Sequence, residues 1–426
     1  MGYIKMLIAI AVTIFAIIKI NNQKKYIVPV CAIYFLVNVL NDIFNAGSPI
    51  HLADAFGISY QFDDTLMLIF IGILFLDLSN YHCVKKNKSN IFIAIITILI
   101  ILSMILGAVQ FGLTSEWMGD LRSFGLFITG ILYFARFFKI SYMKEYIAFI
   151  DKCMGIILVI SIILWSLDLG AGIHILASQY NATLSDGGST MRFVQSYEVL
   201  GLAIYALYLI RRDIREKSRI GIKAFAYIMA VILFQHRSIW LALGIGIIVI
   251  VLEEMNLHKL SKKMLGQFAI IGVLMACVLL FGSGDIVENI RTGFDVFGKL
   301  VSGASLENTT ANTRVQVWSA VREDLTNVAF FLGRPFGYGY GQSIGWSTSP
   351  HSGYIRLLGR TGYIGLCVFI ALMIFLIFKL KKRHAMYALE FLACVIAFMY
   401  SYDFTWLCGC IIGAGTVMSS GATSKK

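Results

Sequence analysis

The sequence predicts an all-α fold, that of a polytopic integral membrane protein with about 13 transmembrane helices, within a range of about 11 to 14. Two features of composition favour this class. Of the 426 residues, 58% are hydrophobic and only 14% are charged. The mean hydropathy is +0.78. Apolar runs long enough to cross a bilayer as helices also recur along the whole chain.

The apolar runs form a single predicted polytopic domain, residues 1–426, which one long polar segment interrupts. The first run, 3–19, is followed by further spans and by no small-residue cleavage site, so it is predicted to be a retained helix. The other predicted spans are 26–44, 65–79, 91–110, 121–138, 153–170, 192–210, 222–235, 238–252, 265–282, 352–379, 385–400 and 403–418.

The basic residues lie in alternate loops, so the formal net charge of +12 indicates membrane topology and excludes a nucleic-acid footprint. The basic loops, predicted to be cytoplasmic, are 24–25, 85–88, 136–152, 211–223, 259–263 and 379–383. The loops predicted to be external are 171–191, 235–237, 283–350 and 400–403. This parity places the C-terminus inside and the N-terminus outside.

Eight cysteines lie mostly within predicted spans, and the long external loop contains none, so the sequence predicts no disulfide framework. The Cys408-Gly409-Cys410 segment has no His or carboxylate at ligand spacing. Small buried residues of the membrane core are therefore expected there, and no metal site is predicted.

The long loop, 283–350, is predicted to contain an amphipathic helix along the membrane surface. Asn312-Thr313 can cap it, and it is expected to end at Gly333 or just before Pro335. Its apolar residues recur at spacings of three and four, as Val315, Trp318, Val321, Leu325 and Val328.

The loop continues into a glycine-rich segment, Gly337-Tyr338-Gly339-Tyr340-Gly341. The segment lacks the Lys-Ser/Thr of a phosphate-binding loop and follows no strand, so nucleotide binding is not predicted. Two interpretations remain open. The backbone passes close to a helix or a sugar, or the segment is a plain turn where the chain re-enters the membrane.

Three basic side chains on the predicted external face are candidates for function. Arg237 lies in a turn between spans, Arg314 near the start of the loop helix, and His351 at the start of the span after the loop. The positive-inside rule does not explain external charges, and their desolvation cost favours a functional role. The alternatives are snorkelling of the arginines to lipid phosphate and an interfacial capping role for His351.

Four segments in order resemble the bacterial O-antigen ligase and polymerase superfamily. They are Arg237-Ser238-Ile239-Trp240-Leu241-Ala242, Arg314 with Trp318, Gly333-Arg334-Pro335-Phe336-Gly337-Tyr338-Gly339, and HSGYIRLLGRTGYIGL from His351 to Leu366. The chain departs from the family at His236 and Ser352, which replace Ser and Asn, and at Arg360, which lies near the usual acidic position. Arg192 resembles an external Arg that precedes a span in many members.

The resemblance implies a metal-independent, inverting membrane glycosyltransferase without cofactor, which acts on undecaprenyl-diphosphate-linked glycans at the periplasmic face of the bacterial inner membrane. Arg237 and Arg314 would hold the diphosphate, and His351 would be the general base or a third phosphate contact. Further predicted substrate-binding residues are Arg192, Arg291, Trp318, Tyr338, Tyr340 and Tyr354.

The partners that the resemblance implies are a lipid-linked glycan donor and acceptor, membrane lipids and a chain-length regulator protein, and no nucleic acid. Polymerisation of repeat units is favoured over ligation to lipid A core, because the match is diluted and polymerases are the more divergent group. A lipid-linked-oligosaccharide flippase is the alternative from another class. It should carry charged residues deep inside several spans and have pseudo-symmetric halves, whereas the predicted spans are nearly free of charge.

Overall fold

The computed structural model describes residues 2–45, 48–55, 58–77, 88–139, 141, 143–171, 193–217, 219–256, 266, 310–341, 344, 349–385 and 387–420. The described part is almost entirely helical. The elements of its N-terminal half are α1 (Gly2–Asn22), a 3-10 turn (Lys24–Tyr26), α2 (Ile27–Asn45), β1 (His51–Ala55), β2 (Ile58–Gln61), α3 (Phe62–Asp77), α4 (Lys88–Phe111), α5 (Ser115–Phe137) and α6 (Met143–Ala171). The remaining elements are α7 (Ser196–Lys217), α8 (Ile222–Leu233), α9 (Arg237–Asn256), α10 (Thr310–Glu323), α11 (Val328–Leu332), α12 (Gly353–Lys382), α13 (Ala388–Ser401) and α14 (Trp406–Ser420).

The fold agrees with a helical membrane protein. Within the described ranges, five helices are long and apolar enough to cross a membrane: Lys24–Asn45, Lys88–Phe111, Tyr146–Leu167, Arg237–Met255 and Gly353–Lys382. Four shorter apolar helices, Leu7–Asn22, Ile222–Leu233, Ala388–Ser401 and Trp406–Ser420, are also present. The count of about 13 spans stays a prediction, and the predicted span at 265–282 lies outside the described residues, except for residue 266.

A short antiparallel hairpin, β1–β2, departs from the all-α prediction. It pairs His51 with Gln61 and Ala55 with Ile58. Each strand is only four or five residues long, so the local pattern that would predict it is weak. The hairpin leads directly into α3, where Asp64 accepts a hydrogen bond from the Gln61 backbone at 2.8 Å.

The residues group into two compact units. The first contains 1–34, 49–149 and 313–426, and the second contains 35–48 and 150–312. The prediction of one polytopic domain stays a prediction. In the second unit, α7 packs against α8 and α9, and buried Arg211 pairs with Glu254 at 2.5 Å.

In the first unit, α14 packs closely along α5. Two glycines one turn apart make this approach feasible: a Cβ at Gly409 would lie 2.2 Å from the Phe127 carbonyl oxygen, and one at Gly413 would lie 2.5 Å from that of Ile131. Small residues let helix backbones approach in this way in membrane proteins. The close contact places the chain just before α14 beside the N-terminal half of α5, where Phe404 contacts Phe124 and Phe127.

The loop helix differs from the prediction. It begins at Thr310, before the expected Asn312-Thr313 cap, and ends at Glu323, and a separate short helix, α11, follows. Its buried face contains Val317, Ala320 and Val321, whereas Val315 is 43% exposed. Beyond its end, Leu325 is buried and Val328, the first residue of α11, is 69% exposed. The buried face therefore includes Val317, which was not predicted, because Val317 and Val321 form a hydrophobic core with Tyr340.

Helix α12 is interrupted at Gly362, where φ is +61° and ψ is −169°. A Cβ at this position would lie 2.2 Å from the Phe331 carbonyl oxygen of α11. The chain after α11 also donates a hydrogen bond from the Arg334 backbone to the Gly359 carbonyl oxygen at 2.7 Å. The first turns of α12 are therefore fixed against the end of the loop.

We expect Gly362→Ala to destabilise the protein by at least about 2 kcal/mol, because alanine disfavours this backbone conformation and its methyl group has no space. The thermal midpoint of the detergent-solubilised protein measures this effect. The matched control is Gly155→Ala in α6, where a Cβ meets no atom within 4 Å. Alanine there should be neutral or stabilising, as expected for an open helical position. Equal midpoints for the two variants would contradict the role assigned to Gly362.

Candidate functional site

The candidate site lies in the first unit. It is formed by residues of α5, α10 and the start of α12, together with the chain just before α12 and just before α14. It contains two carboxylates, Asp120 of α5 and Asp403 before α14. It also contains Arg314 of α10, His351 just before α12, and Arg356 and Arg360 one turn apart on α12. Residues four apart share a helix face, so both α12 arginines point toward the same region.

Asp120 is the centre of the buried part of this site. It is 2% exposed and accepts hydrogen bonds from Arg360 Nε at 2.8 Å, Arg356 Nη2 at 3.2 Å and the Tyr340 hydroxyl at 3.0 Å. The Gly337 backbone N–H is a further donor at 3.3 Å. A buried carboxylate needs such partners, since an unpaired charge in the interior is costly.

The chain passes close to α4 at Phe336, just before the glycine-rich segment. The Phe336 backbone N–H donates to the Ser103 carbonyl oxygen of α4 at 3.1 Å. A Cβ at Gly107 would lie 2.3 Å from the Phe336 carbonyl oxygen. Gly337 and Gly341 adopt φ values of +84° and +64°, which favour glycine. This path brings Tyr340 to Asp120.

Arg356 connects the two carboxylates. Its Nη1 donates to Asp403 Oδ2 and its Nη2 to Asp120 Oδ1, each at 3.2 Å. The guanidinium is enclosed by aromatic rings and lies 5.8 Å from the Phe124 ring centre and 5.9 Å from that of Phe404. Arg356 is 8% exposed and Asp403 is 4% exposed, so their charges interact in a poorly hydrated region.

His351 is held by its backbone at the entrance to α12. Its N–H donates to Ser349 Oγ at 3.1 Å, and the Ser349 hydroxyl donates to Asp403. The preceding Pro350 carbonyl oxygen accepts the Trp318 indole N–H at 2.8 Å. His351 has a φ of +50°, which is uncommon for a residue with a side chain and occurs where surrounding contacts over-determine the backbone.

Arg314 and Trp318 lie one turn apart on α10 and both reach this region. Arg314 Nη1 donates to the Ser401 carbonyl oxygen at 3.1 Å, and its guanidinium lies 5.4 Å from the Tyr402 ring centre. Trp318 contacts Tyr400 edge-on at 5.5 Å. No described carboxylate forms an ion pair with Arg314, whereas Arg356 and Arg360 are both paired. Of these three arginines, Arg314 therefore has the charge that no described carboxylate neutralises.

Three buried polar atoms of the site have no hydrogen-bond partner among the described residues: His351 Nδ1, Arg356 Nε and Asp403 Oδ1. Unsatisfied buried polar atoms are rare in folded proteins, and each one invites a functional explanation. Their occurrence on three interacting residues indicates a place where a ligand's polar groups can bind.

The electrostatic surroundings keep His351 neutral near physiological pH. Burial lowers the pKa of His351 below its ordinary value of 6.5; the Asp403 carboxylate opposes this shift, and the charges of Arg314 and Arg356 add to it. A neutral imidazole can accept a proton, whereas a protonated one cannot.

The predicted tyrosines occupy different environments. Tyr340 is 5% exposed, and burial raises its pKa, so its hydroxyl stays a donor to Asp120. Tyr338 stacks beside Arg334 at 5.0 Å. Both line a small cavity with Asp324, Arg334 and Arg360. Tyr354 donates to the Ile396 carbonyl oxygen at 3.1 Å and joins α12 to α13. Substrate binding by these tyrosines stays a prediction.

Arg237 lies in the second unit, exposed as the first residue of α9. A cation at a helix N-terminus opposes the helix dipole, so helix stability does not account for it. The preceding residue, His236, is 3% exposed and bonds Ser196 Oγ at 3.1 Å and the Val194 carbonyl oxygen at 2.7 Å. Arg192 and Arg291, also predicted to bind substrate, lie outside the described residues.

Four residues of the site, Asp120, Arg356, Arg360 and Asp403, were not predicted from the sequence. A signal was present for the two arginines, since cations four residues apart inside an apolar run share one helix face and are costly in a membrane. The carboxylates lie 236 and 47 residues from Arg356 in sequence, and no local pattern connects them to it.

No protein-family model matches the chain, and no curated protein shows significant similarity to it.

Proposed function

We propose that this protein is a membrane glycosyltransferase that polymerises undecaprenyl-diphosphate-linked oligosaccharide units at the periplasmic face of a bacterial inner membrane, as an O-antigen polymerase does. The observation that carries this proposal is that Arg314, a cation with no described carboxylate partner, lies close enough to act electrostatically on His351, a neutral imidazole with an Nδ1 that has no partner among the described residues. The ordered motifs that resemble the ligase and polymerase superfamily add the substrate class.

The charges of the site suit a diphosphate. Arg356 and Arg360 are balanced by Asp120 and Asp403, so Arg314 supplies a net positive charge. A guanidinium matches phosphate oxygens with two parallel N–H donors and does not lose its proton. The N-terminus of α12, beside His351, adds the positive end of a helix dipole. Both features would stabilise the diphosphate as it departs.

His351 supplies the proton acceptor for the proposed reaction. The acceptor's hydroxyl oxygen attacks the anomeric carbon of the donor sugar, a new glycosidic bond forms, and the bond from that carbon to the diphosphate oxygen breaks with inversion. The hydroxyl proton passes to the imidazole, and the electron pair leaves with the undecaprenyl diphosphate. The lipid diphosphate is already a good leaving group, so positioning and charge stabilisation are the main requirements.

The remaining predicted residues have supporting roles in this proposal. Trp318 holds the Pro350 carbonyl and thereby orients His351. Arg237 is proposed as a second phosphate contact, with Arg192 and Arg291 as further contacts to the donor or acceptor. A chain-length regulator remains a proposed partner.

Transport of a lipid-linked oligosaccharide is the second candidate. The predicted spans looked nearly free of charge, yet Arg356, Arg360 and Asp120 are buried within helices of the described fold. Buried charges in membrane helices are also what substrate pathways in transporters require. Ligation to lipid A core is the alternative within the glycosyltransferase class.

Reconstitution tests the proposal. The purified protein in vesicles, with lipid-linked repeat units and a chelator present, should yield lipid-linked polymers of increasing length and free undecaprenyl diphosphate. Product that forms only with lipid A core indicates a ligase. Movement of intact units across the vesicle membrane without product indicates a transporter. If neither product nor movement is observed, the glycosyltransferase proposal is overturned.

A further inference from the structure

Arg356 is one of the charged groups that act on His351, and neither the motifs nor the proposed chemistry assigns it a role. Among the described residues, Arg356 forms ion pairs with both carboxylates of the site, Asp403 and Asp120, at 3.2 Å each. Its remaining donor, Nε, has no partner among the described residues.

The charged groups around His351 come from three surrounding elements. Arg314 approaches from α10, Arg356 from α12, and Asp403 from the chain between α13 and α14. Asp120 of α5 connects to this group through Arg356. It has a second arginine partner, Arg360, at 2.6 Å. Among the described residues, Asp403 pairs with no second arginine, and its hydrogen-bond donor besides Arg356 is the neutral hydroxyl of Ser349.

This difference determines which carboxylate would lose its arginine partner if Arg356 were removed. Asp120 would keep Arg360, Tyr340 and the Gly337 N–H as donors. Among the described residues, Asp403 would keep only the Ser349 hydroxyl as a donor, and its negative charge would act on His351 without a paired arginine. In a region enclosed by Phe124, Tyr340 and Phe404, water screens such a charge poorly. His351 would then bind a proton more readily.

We propose that Arg356 is a positioning residue: by pairing with Asp403 it holds that carboxylate beside Ser349 and keeps His351 neutral and able to accept a proton. The catalytic consequence rests on the proposed function, whereas the electrostatic effect on His351 does not. Arg356 itself touches neither reacting atom in this proposal.

Titration of His351 tests the proposal directly. The purified protein, labelled at its seven histidines, is titrated by NMR in nanodiscs, and His351 is assigned by the signal lost in His351→Asn. We expect Arg356→Gln to raise the pKa of His351 by about one pH unit, the usual spread of histidine values in folded proteins. Arg356→Lys, which keeps the charge, should leave the value near that of the wild type.

A double variant separates the charge effect from structural damage. Arg356→Gln with Asp403→Asn removes both members of the pair, and the pKa of His351 should return to within about 0.3 pH units of wild type. If Arg356→Gln fails to accumulate, Asp403→Asn alone gives the converse test and should lower the pKa. The matched control is Arg322→Gln, an exposed arginine of α10.

Activity provides a second, independent measurement. In Arg356→Gln the acid limb of the pH profile of kcat should move upward by the same amount, with KM for the donor unchanged. A uniform loss at every pH, with an unshifted histidine titration, would show that Arg356 is only structural and would overturn the proposal. A shifted titration in a protein that polymerises no glycan would overturn the proposed function and leave the role of Arg356 intact.

Discussion

Arg314→Lys should lose about 99% of polymerising activity while the protein accumulates normally in the membrane. The lysine ammonium keeps the positive charge but loses the planar pair of donors that matches a phosphate group. It also loses the stacking on the Tyr402 ring and the reach to the Ser401 carbonyl oxygen. The measurement is the initial rate of polymer formation by purified protein, with donor binding determined in parallel.

Arg322→Lys is the matched control, because Arg322 lies on the same helix, is exposed and contacts only Ser319 Oγ among the described residues, at 3.0 Å. It should retain wild-type activity. Arg237→Lys is expected to weaken donor binding for the same chemical reason. Wild-type rates for Arg314→Lys would show that charge alone, or no group at all, is needed at this position.

His351→Asn should reduce turnover by about 100-fold to 10,000-fold and leave donor binding unchanged. Asparagine tolerates the left-handed backbone conformation that His351 adopts, so this change removes the base with little added strain. In the proposed reaction the imidazole would accept the proton in the chemical step, whereas Arg314 would provide most of the binding to phosphate. Single-turnover rates and donor affinity, measured on the same preparation, distinguish the two effects.

The pH profile of polymerising activity of the wild-type protein should report the titration of His351. Activity should fall as the pH drops through the pKa of His351, which burial and two arginines place below 6.5, because protonation removes the acceptor. The limb should disappear in His351→Asn. Loss of donor binding in this variant would make His351 a phosphate contact, and full turnover would make it only part of the cap of α12.

His384 offers a control at the other end of α12. It too has a positive φ, of +48°, and it is exposed beyond the last turn of the helix. His384→Asn should change neither turnover nor the pH profile. A comparable loss in this variant would indicate that any change at the ends of α12 disturbs the fold.

The amino-acid sequence by itself determined the helical membrane class and the general position of most described helices. Hydropathy is a local property, so a run such as 91–110 identifies a span without knowledge of its neighbours. Lys88–Phe111 and Gly353–Lys382 appear close to where their apolar runs predict them.

Only the tertiary structure decided how the site is assembled. Asp120 contacts Arg360 across 240 residues of sequence. The buried face of α10 includes Val317, which the predicted face does not, because Val317 packs with Val321 and Tyr340. The interruption of α12 at Gly362 likewise depends on the approach of Phe331. Such features arise from contacts between distant segments, and a local pattern of apolar and charged residues carries no information about which distant partner a buried charge will meet.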